Sequence, residues 1–199
     1  ILLDENEISK AANRPKITEL KVSFSRDGFH WDRPYRDAFI PATRVPGSWD
    51  RGYVQSVGGI CTVVGDQLRF YYIGFKGGDS SSYMHSNGAT GMATLRRDGF
   101  ASMSTTGEGS LTTRPVKFSG KYMFVNCPAG ELKVEILDKN NKVIDGFSAD
   151  KCKAVTIDST IQQVEWNGAS DLSSLAGQEV RFRFKLKNGD LYAFWVSPS

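Results

Sequence analysis

Histidine and cysteine are scarce in this 199-residue chain, which holds two of the first and three of the second. With only His30 and His85, a histidine-based metal site or a Ser-His-Asp triad has little material, so no metal or other cofactor is expected. Cys61, Cys127 and Cys152 are too few and too scattered for a disulfide framework or a paired Cys-x-x-Cys zinc site. They read as buried thiols. The alternative is a Cys127–Cys152 bridge, which would imply an oxidising compartment. Nowhere do ~18 apolar residues follow one another, so no membrane-spanning helix is expected. The chain opens Ile1-Leu2-Leu3-Asp4, with no initiator methionine and no basic segment leading into an apolar run, and is read as a processed or truncated soluble piece. An excess of either charge is missing too. Lys plus Arg number 25 against 22 Asp plus Glu. Residues 1–108 carry 13 basic and 12 acidic side chains and residues 109–199 carry 12 and 10. Nothing in that balance selects nucleic acid or a membrane surface as partner.

Helical periodicity is also absent beyond the polar opening Glu5 to Asn13. Strand patterns dominate. Ile17 to Phe24 alternates, Arg26-Asp27-Gly28 turns, and His30-Trp31 begins the return. Ile60 to Val64, the pair Gly65-Asp66 and Leu68 to Ile73 form a hairpin pattern, since Gly-Asp supplies the positive φ that two-residue turns require. Arg26-Asp27-Gly28-Phe29 returns as Arg97-Asp98-Gly99-Phe100, an offset of 71 residues, again after an alternating stretch. That echo suggests a repeated β architecture. Thr105 to Arg114 is rich in Gly, Ser and Thr and reads as a linker. Beyond it, Tyr122–Val125, Leu132–Leu137, Val143-Ile144 and Gln163–Trp166 read as antiparallel strands. Val180, Phe182, Phe184 and Leu186 alternate with Arg181, Arg183, Lys185 and Lys187, which places one face in a core and one in water. Asn188-Gly189 is a strong hairpin signal. Residues 109–199 thus carry roughly seven or eight short strands, the pattern of an antiparallel β-sandwich.

The first half resembles a known family. The order Ser25-Arg26-Asp27-Gly28-Phe29-His30-Trp31, then Gly47-Ser48-Trp49-Asp50-Arg51-Gly52, then the Val63 to Tyr72 hairpin is similar to the last blades of five-bladed β-propeller glycosidases, the invertase-like and arabinanase-like families 32 and 43 and their bacterial relatives. A β-sandwich commonly follows the propeller in those enzymes. The resemblance implies an all-β chain in which residues 1–108 form about two C-terminal blades of a partial β-propeller and residues 109–199 a β-sandwich. It implies blade strands C and D at Ile17–Ser25 and from Trp31, and strands A to D of the next blade at Val54–Val64, Leu68–Phe75, Gly91–Leu95 and Ala101–Ser104. Both Arg-Asp-Gly-Phe turns then share one face, with Phe29 and Phe100 packed between blades. The long loops 32–53 and 76–90 share the other.

Long loops converging on one face of a rigid scaffold are where binding groups usually sit. Loop 32–53 carries Arg36, Asp37, Arg44, Trp49, Asp50, Arg51 and Tyr53, and loop 76–90 carries Lys76, Asp79, Tyr83, His85 and Asn87. Aromatic faces with carboxylate, guanidinium and amide groups suit the apolar and hydroxyl sides of a sugar. Arg44, Trp49, Asp50, Arg51, Tyr53 and His85 are therefore the candidate carbohydrate contacts. Asp50 stands out because it precedes the innermost strand, where related glycosidases place pocket carboxylates. Asp50 can equally be the cap of a tight turn, with Trp49 a core aromatic.

Glycoside hydrolysis requires two carboxyl groups at controlled separation, and Asp37, Asp50 and Asp79 match no catalytic motif of those families. No nucleophile or general acid is assigned. Two functions follow. One is the C-terminal portion of a secreted or periplasmic bacterial glycoside hydrolase acting on plant or microbial glycans, supplying pocket loops and depending on upstream blades or a second chain for catalysis. The other is a non-catalytic carbohydrate-binding or structural β module. A glycan-binding sandwich would display an aromatic platform, and the face opposite Phe182, Phe184 and Leu186 is cationic, which favours a buttress role for residues 109–199.

Overall fold

The computed structural model describes residues 17–77, 85–128 and 130–199. The opening segment Glu5 to Asn13 and the loop residues Asp79 and Tyr83 lie outside them. The chain is all-β. Its described residues form several small antiparallel sheets, none closed, with one 3-10 turn at Ser173–Leu175 and no α-helix. No helix among them is long and apolar enough to cross a membrane. Contacts divide the chain into two units, Ile1–Val64 with Leu68–Thr94, and Gly65–Gln67 with Leu95–Ser199.

In the first unit, strands β1 (Phe24–Ser25) and β2 (Trp31–Asp32) pair as a short hairpin. The alternating stretch before them is held by isolated bridges, Thr18 to Tyr53 in parallel and Leu20 to Ile40 antiparallel, rather than by a continuous strand. Strands β3 (Tyr53–Val64), β4 (Gln67–Phe75) and β5 (Gly88–Arg96) follow as one sheet in that order. Between β3 and β4 the turn falls at Gly65-Asp66, with Gly65 at φ 57°, as the sequence pattern requires. Ile40, Ala42 and Val54 form a small buried cluster, against which Leu20, Phe39, Phe70, Tyr72 and Ala93 pack.

The two Arg-Asp-Gly-Phe copies adopt different turns. In the first, Gly28 takes the left-handed conformation, at φ 77°. The Asp27 carboxylate accepts the backbone N–H groups of Phe29 and His30, at 2.9 and 2.8 Å. In the second the left-handed residue is Asp98, at φ 51°, and the Gly99 N–H closes on the Arg96 carbonyl. The first copy joins two paired strands, whereas the second joins β5 to β6 (Met103–Thr112), which belong to different sheets. Four identical residues leave the choice of turn to the strands they connect. Phe29, expected to pack between blades, is 88% exposed.

In the second unit, β6 pairs with β10 (Arg181–Leu191), which also pairs with β8 (Glu131–Leu137). β11 (Ala193–Ser197), β7 (Tyr122–Cys127) and β9 (Ser159–Val164) form a second three-stranded sheet. Both sheets contribute to one buried cluster that includes Met123, Val125, Val134, Ile136, Phe182 and Phe184. Phe182, Phe184 and Leu186 face that core as their alternation predicts, at 1, 1 and 8% exposure. Their neighbours on β10 face outward, where Arg183 and Lys185 both reach Glu135, at 2.9 and 3.3 Å.

Four local readings are corrected. The segment read as a linker is strand β6, because its Gly, Ser and Thr residues form the ladder opposite Arg183–Leu191, which supplies the apolar side chains. Ala101–Ser104 consequently does not add a fourth strand to the β3–β4–β5 sheet. The Asn188-Gly189 pair makes a bulge inside β10 and not a hairpin. Asn188 takes φ 49° and the register slips between Lys187 and Gly189, so the left-handed residue is absorbed within a strand that continues along β6 to Leu191. Cys127 and Cys152 are both free and buried, so the alternative bridge is not formed. Each Sγ is turned to its own next carbonyl, Cys127 to Pro128 and Cys152 to Lys153.

Candidate functional site

Loop 43–51 folds back on itself. The Thr43 and Arg44 N–H groups donate to the carbonyls of Asp50 and Arg51, at 3.2 and 3.0 Å, and the Ser48 N–H donates to Val45. Arg44 at φ 60° and Gly47 at φ 89° supply the left-handed residues that so tight a reversal needs. Asp50 sits at its base, 5% exposed, where its Oδ1 accepts the hydroxyls of Ser48 at 2.6 Å and Thr43 at 2.9 Å. Asp50 thus fastens the two arms of its own loop. Burial, assisted by the Asp50 charge, pushes the nearby Tyr72 phenol above its ordinary value.

Next to it, Trp49 lies on the sheet. A Cβ built on Gly74 would stand 2.5 Å from Cζ3 of the Trp49 ring, and one built on Gly91 would collide with the ring's Cη2. Glycine within a strand marks a close approach of another group, and here that group is the indole. The ring is tilted by 31° against Tyr72, at 5.5 Å between centroids, and the residue remains 37% exposed.

Successive side chains on a strand point to opposite faces, so Tyr53 leaves β3 on the face opposite Val54, and Phe75 leaves β4 opposite Gly74. Tyr53, Phe75 and His85 form a cluster of edge-on rings on that second face. The Tyr53 and His85 centroids are 4.5 Å apart and those of Phe75 and His85 5.3 Å. Lys76 and Gly77 donate to the carbonyls of Asn87 and Ser86, which ties His85 to the end of β4.

The six sequence candidates therefore divide. Trp49 and Asp50 share one face of the β3–β4–β5 sheet, and Tyr53 and His85 the other. Arg44 turns to Glu19, at 2.8 Å. Burial would raise the Glu19 pKa, but the Arg44 and Lys21 cations together hold it below the usual value. Arg51 is half-buried and engages the loop through its carbonyl. Sequence reading omitted Tyr72, Phe75, Gly74 and Gly91, although two glycines inside predicted strands carried the signal for a ring above them.

The first face offers a half-exposed indole beside a carboxylate occupied by two hydroxyls. Such an arrangement can stack on the apolar side of a ligand. The groups shown against this carboxylate are the Ser48 and Thr43 hydroxyls and the Tyr72 phenol. No family model, no curated protein and no solved structure matches the chain.

Proposed function

We propose that the chain is the C-terminal portion of a secreted glycoside hydrolase acting on plant or microbial glycans. In this reading its first unit touches sugar through aromatic side chains and leaves catalysis to carboxylates elsewhere in the protein. The observation that carries it is Trp49, an indole that is supported from beneath by two glycine positions and is 37% exposed above them. Ring faces backed by rigid sheet are suited to the C–H face of a pyranose. The meander β3–β4–β5 supports assigning this unit to propeller blades, and the two sheets around one core support a β-sandwich for the second unit. Asp50, fastened within its loop, favours the related reading of a non-catalytic carbohydrate-binding module.

Affinity electrophoresis of the purified chain in gels containing neutral plant polysaccharides tests the proposal. Retardation by at least one polysaccharide, weakened by Trp49→Ala, with no release of reducing sugar by the chain alone, is the expected result. Turnover by the isolated chain that survives Trp49→Ala would overturn the assignment of catalysis to other parts of the protein. Unchanged retardation in Trp49→Ala would remove the first unit as a sugar contact.

A further inference from the structure

An asparagine side chain is open to attack by its own backbone where glycine follows, because glycine places no Cβ beside the attacking nitrogen. The chain contains three such pairs, Asn87-Gly88, Asn167-Gly168 and Asn188-Gly189. Attack needs that nitrogen free of hydrogen bonds, and it needs the asparagine ψ to swing until the side chain faces the next peptide. The fold sets these conditions differently at each pair.

Two of the pairs are held. Asn87 donates its side-chain amide to the Gly77 carbonyl at 3.2 Å, and its own carbonyl accepts the Lys76 N–H at 3.3 Å. Gly88 opens strand β5, with the Phe75 ring 2.8 Å from where its Cβ would stand. Asn188 lies in the bulge of β10. There Gly189 is in register with Thr105 of β6, and a Cβ on Gly130 would stand 2.7 Å from the Asn188 carbonyl oxygen. Rotating either peptide disturbs a paired strand.

Asn167-Gly168 differs on every count. It forms the centre of a turn from Trp166 to Ala169, closed by the Ala169 N–H on the Trp166 carbonyl at 3.4 Å, the long end of the hydrogen-bond range. Gly168 takes φ 97°, so the left-handed residue comes second, as in a type II turn. The N–H of that second residue lies outside the closing bond. Both residues are exposed, and a Cβ built on Gly168 meets nothing within 4 Å. The Asn167 N–H does bond, to the Lys151 carbonyl at 2.7 Å, but on the side of its Cα that the rotation leaves in place. Opening the turn thus gives up one long hydrogen bond and no packing.

We propose that Asn167 is a site of spontaneous covalent modification, at which the Gly168 nitrogen closes a cyclic imide that water reopens to isoaspartate and aspartate. The same reaction is withheld from Asn87 and Asn188 by the fold. The Gly168 nitrogen gives its proton to hydroxide and bonds to the Asn167 side-chain carbon. The bond from that carbon to the amide nitrogen breaks, and the nitrogen leaves as ammonia with a proton from water. Water then adds at one of the two ring carbonyls, and no group is oxidised or reduced. The iso product inserts a methylene into the backbone directly after Trp166, whose buried indole donates to the Val134 carbonyl at 2.8 Å. The second unit therefore carries the change next to its core, whether or not the first unit binds sugar.

The test is incubation of the purified full chain at mildly alkaline pH, with the three pairs mapped by peptide mass spectrometry. Parallel samples are held at mildly acidic pH, unfolded in guanidinium chloride, or carry Asn167→Gln. In the folded chain the Asn167 peptide is expected to convert about tenfold faster than the other two, as its readier local opening implies. Isoaspartate and aspartate should both form, ammonia should appear in step, and acid should slow the reaction. Unfolding should bring the three rates together, and Asn167→Gln should remove the early ammonia. The map of the unsubstituted chain decides even if that variant fails to fold. Conversion of Asn87 or Asn188 as fast as Asn167 in the folded chain would overturn the proposal. So would the same ranking in guanidinium chloride, aspartate without isoaspartate, or an Asn167 peptide that stays unchanged while the unfolded chain reacts.

Discussion

The Trp49 indole occupies the volume that a side chain on Gly74 would need, with Cζ3 only 2.5 Å from the position of the missing Cβ. Ring and glycine are thus one structural unit. Gly74→Ala is expected to displace the indole from the sheet and to destabilise the first unit by about 1–3 kcal/mol, the usual cost of overpacking. Tryptophan fluorescence and thermal unfolding read both effects. An unshifted emission maximum with unchanged stability would show that the ring does not rest there.

Asp50 joins Ser48 and Thr43 through a single oxygen. Asp50→Ala leaves two hydroxyls without their acceptor and should cost about 1–3 kcal/mol. Ser48→Ala should cost less, about 1 kcal/mol, because Thr43 still holds the carboxylate. Denaturant unfolding of the two variants checks the order, and equal costs would contradict the shared-oxygen arrangement.

Hydrogen bonds from the His30 backbone N–H, the His30 ring and the Phe29 N–H hold the Asp27 carboxyl far below its usual range. Its folded pKa is depressed, so the turn's contribution is fully present above the ordinary carboxylate value of about 3.9 and is lost as pH falls through the folded one. The Trp31 indole N–H, which donates to Gly28 at 3.1 Å, should keep its NMR shift to well below pH 4 in the native chain. In Asp27→Asn that acid transition should vanish.

Burial, more than any neighbouring charge, pushes the Cys127 thiol up to about 11 and raises that of Cys152. Both should resist a thiol reagent near pH 8 while the half-exposed Cys61 is modified. The raised values also set a sign for stability. The contribution of the neutral thiols is fully present below the free-thiol value of about 8.5 and is lost as pH rises towards 11. Mass spectrometry after labelling separates the three sites, and early labelling of Cys127 would refute its burial.

Glu135, at 6% side-chain exposure, accepts both Arg183 and Lys185. Glu135→Gln should destabilise the second unit more than Lys185→Gln, because the first leaves two cations facing each other and the second leaves one pair intact. A difference of about 1–2 kcal/mol in urea unfolding is expected, reduced from the fully buried case since both cations reach solvent. A larger loss from Lys185→Gln would reverse the assignment.

The β10 alternation was legible because its period sorts Phe182, Phe184 and Leu186 from Arg181, Arg183 and Lys185 without reference to any partner. Asn188-Gly189 misled for a physical reason: a left-handed residue serves a hairpin and a bulge equally well. Only the presence of β6 alongside, continuous from Met103 to Thr112, selects the bulge. For the same reason β6 itself was illegible. Its Gly, Ser and Thr residues bury little, and its strand character comes from the ladder it completes. Among the candidate residues, Trp49 was visible as an aromatic loop residue, but its seat on Gly74 and Gly91 requires the two strands to be side by side. Phe124 and Trp195 lie 71 positions apart and meet only through strand pairing.

The amino-acid sequence by itself determined an all-β chain, the tight turn at Gly65-Asp66, and the inward side of β10, because alternation and glycine conformation are local properties. Tertiary structure alone decided how each Arg-Asp-Gly-Phe copy turns, which sheet takes β6, that Asp50 secures its own loop, and where the ring faces lie. Those outcomes depend on contacts between distant segments, whose energies no local pattern contains.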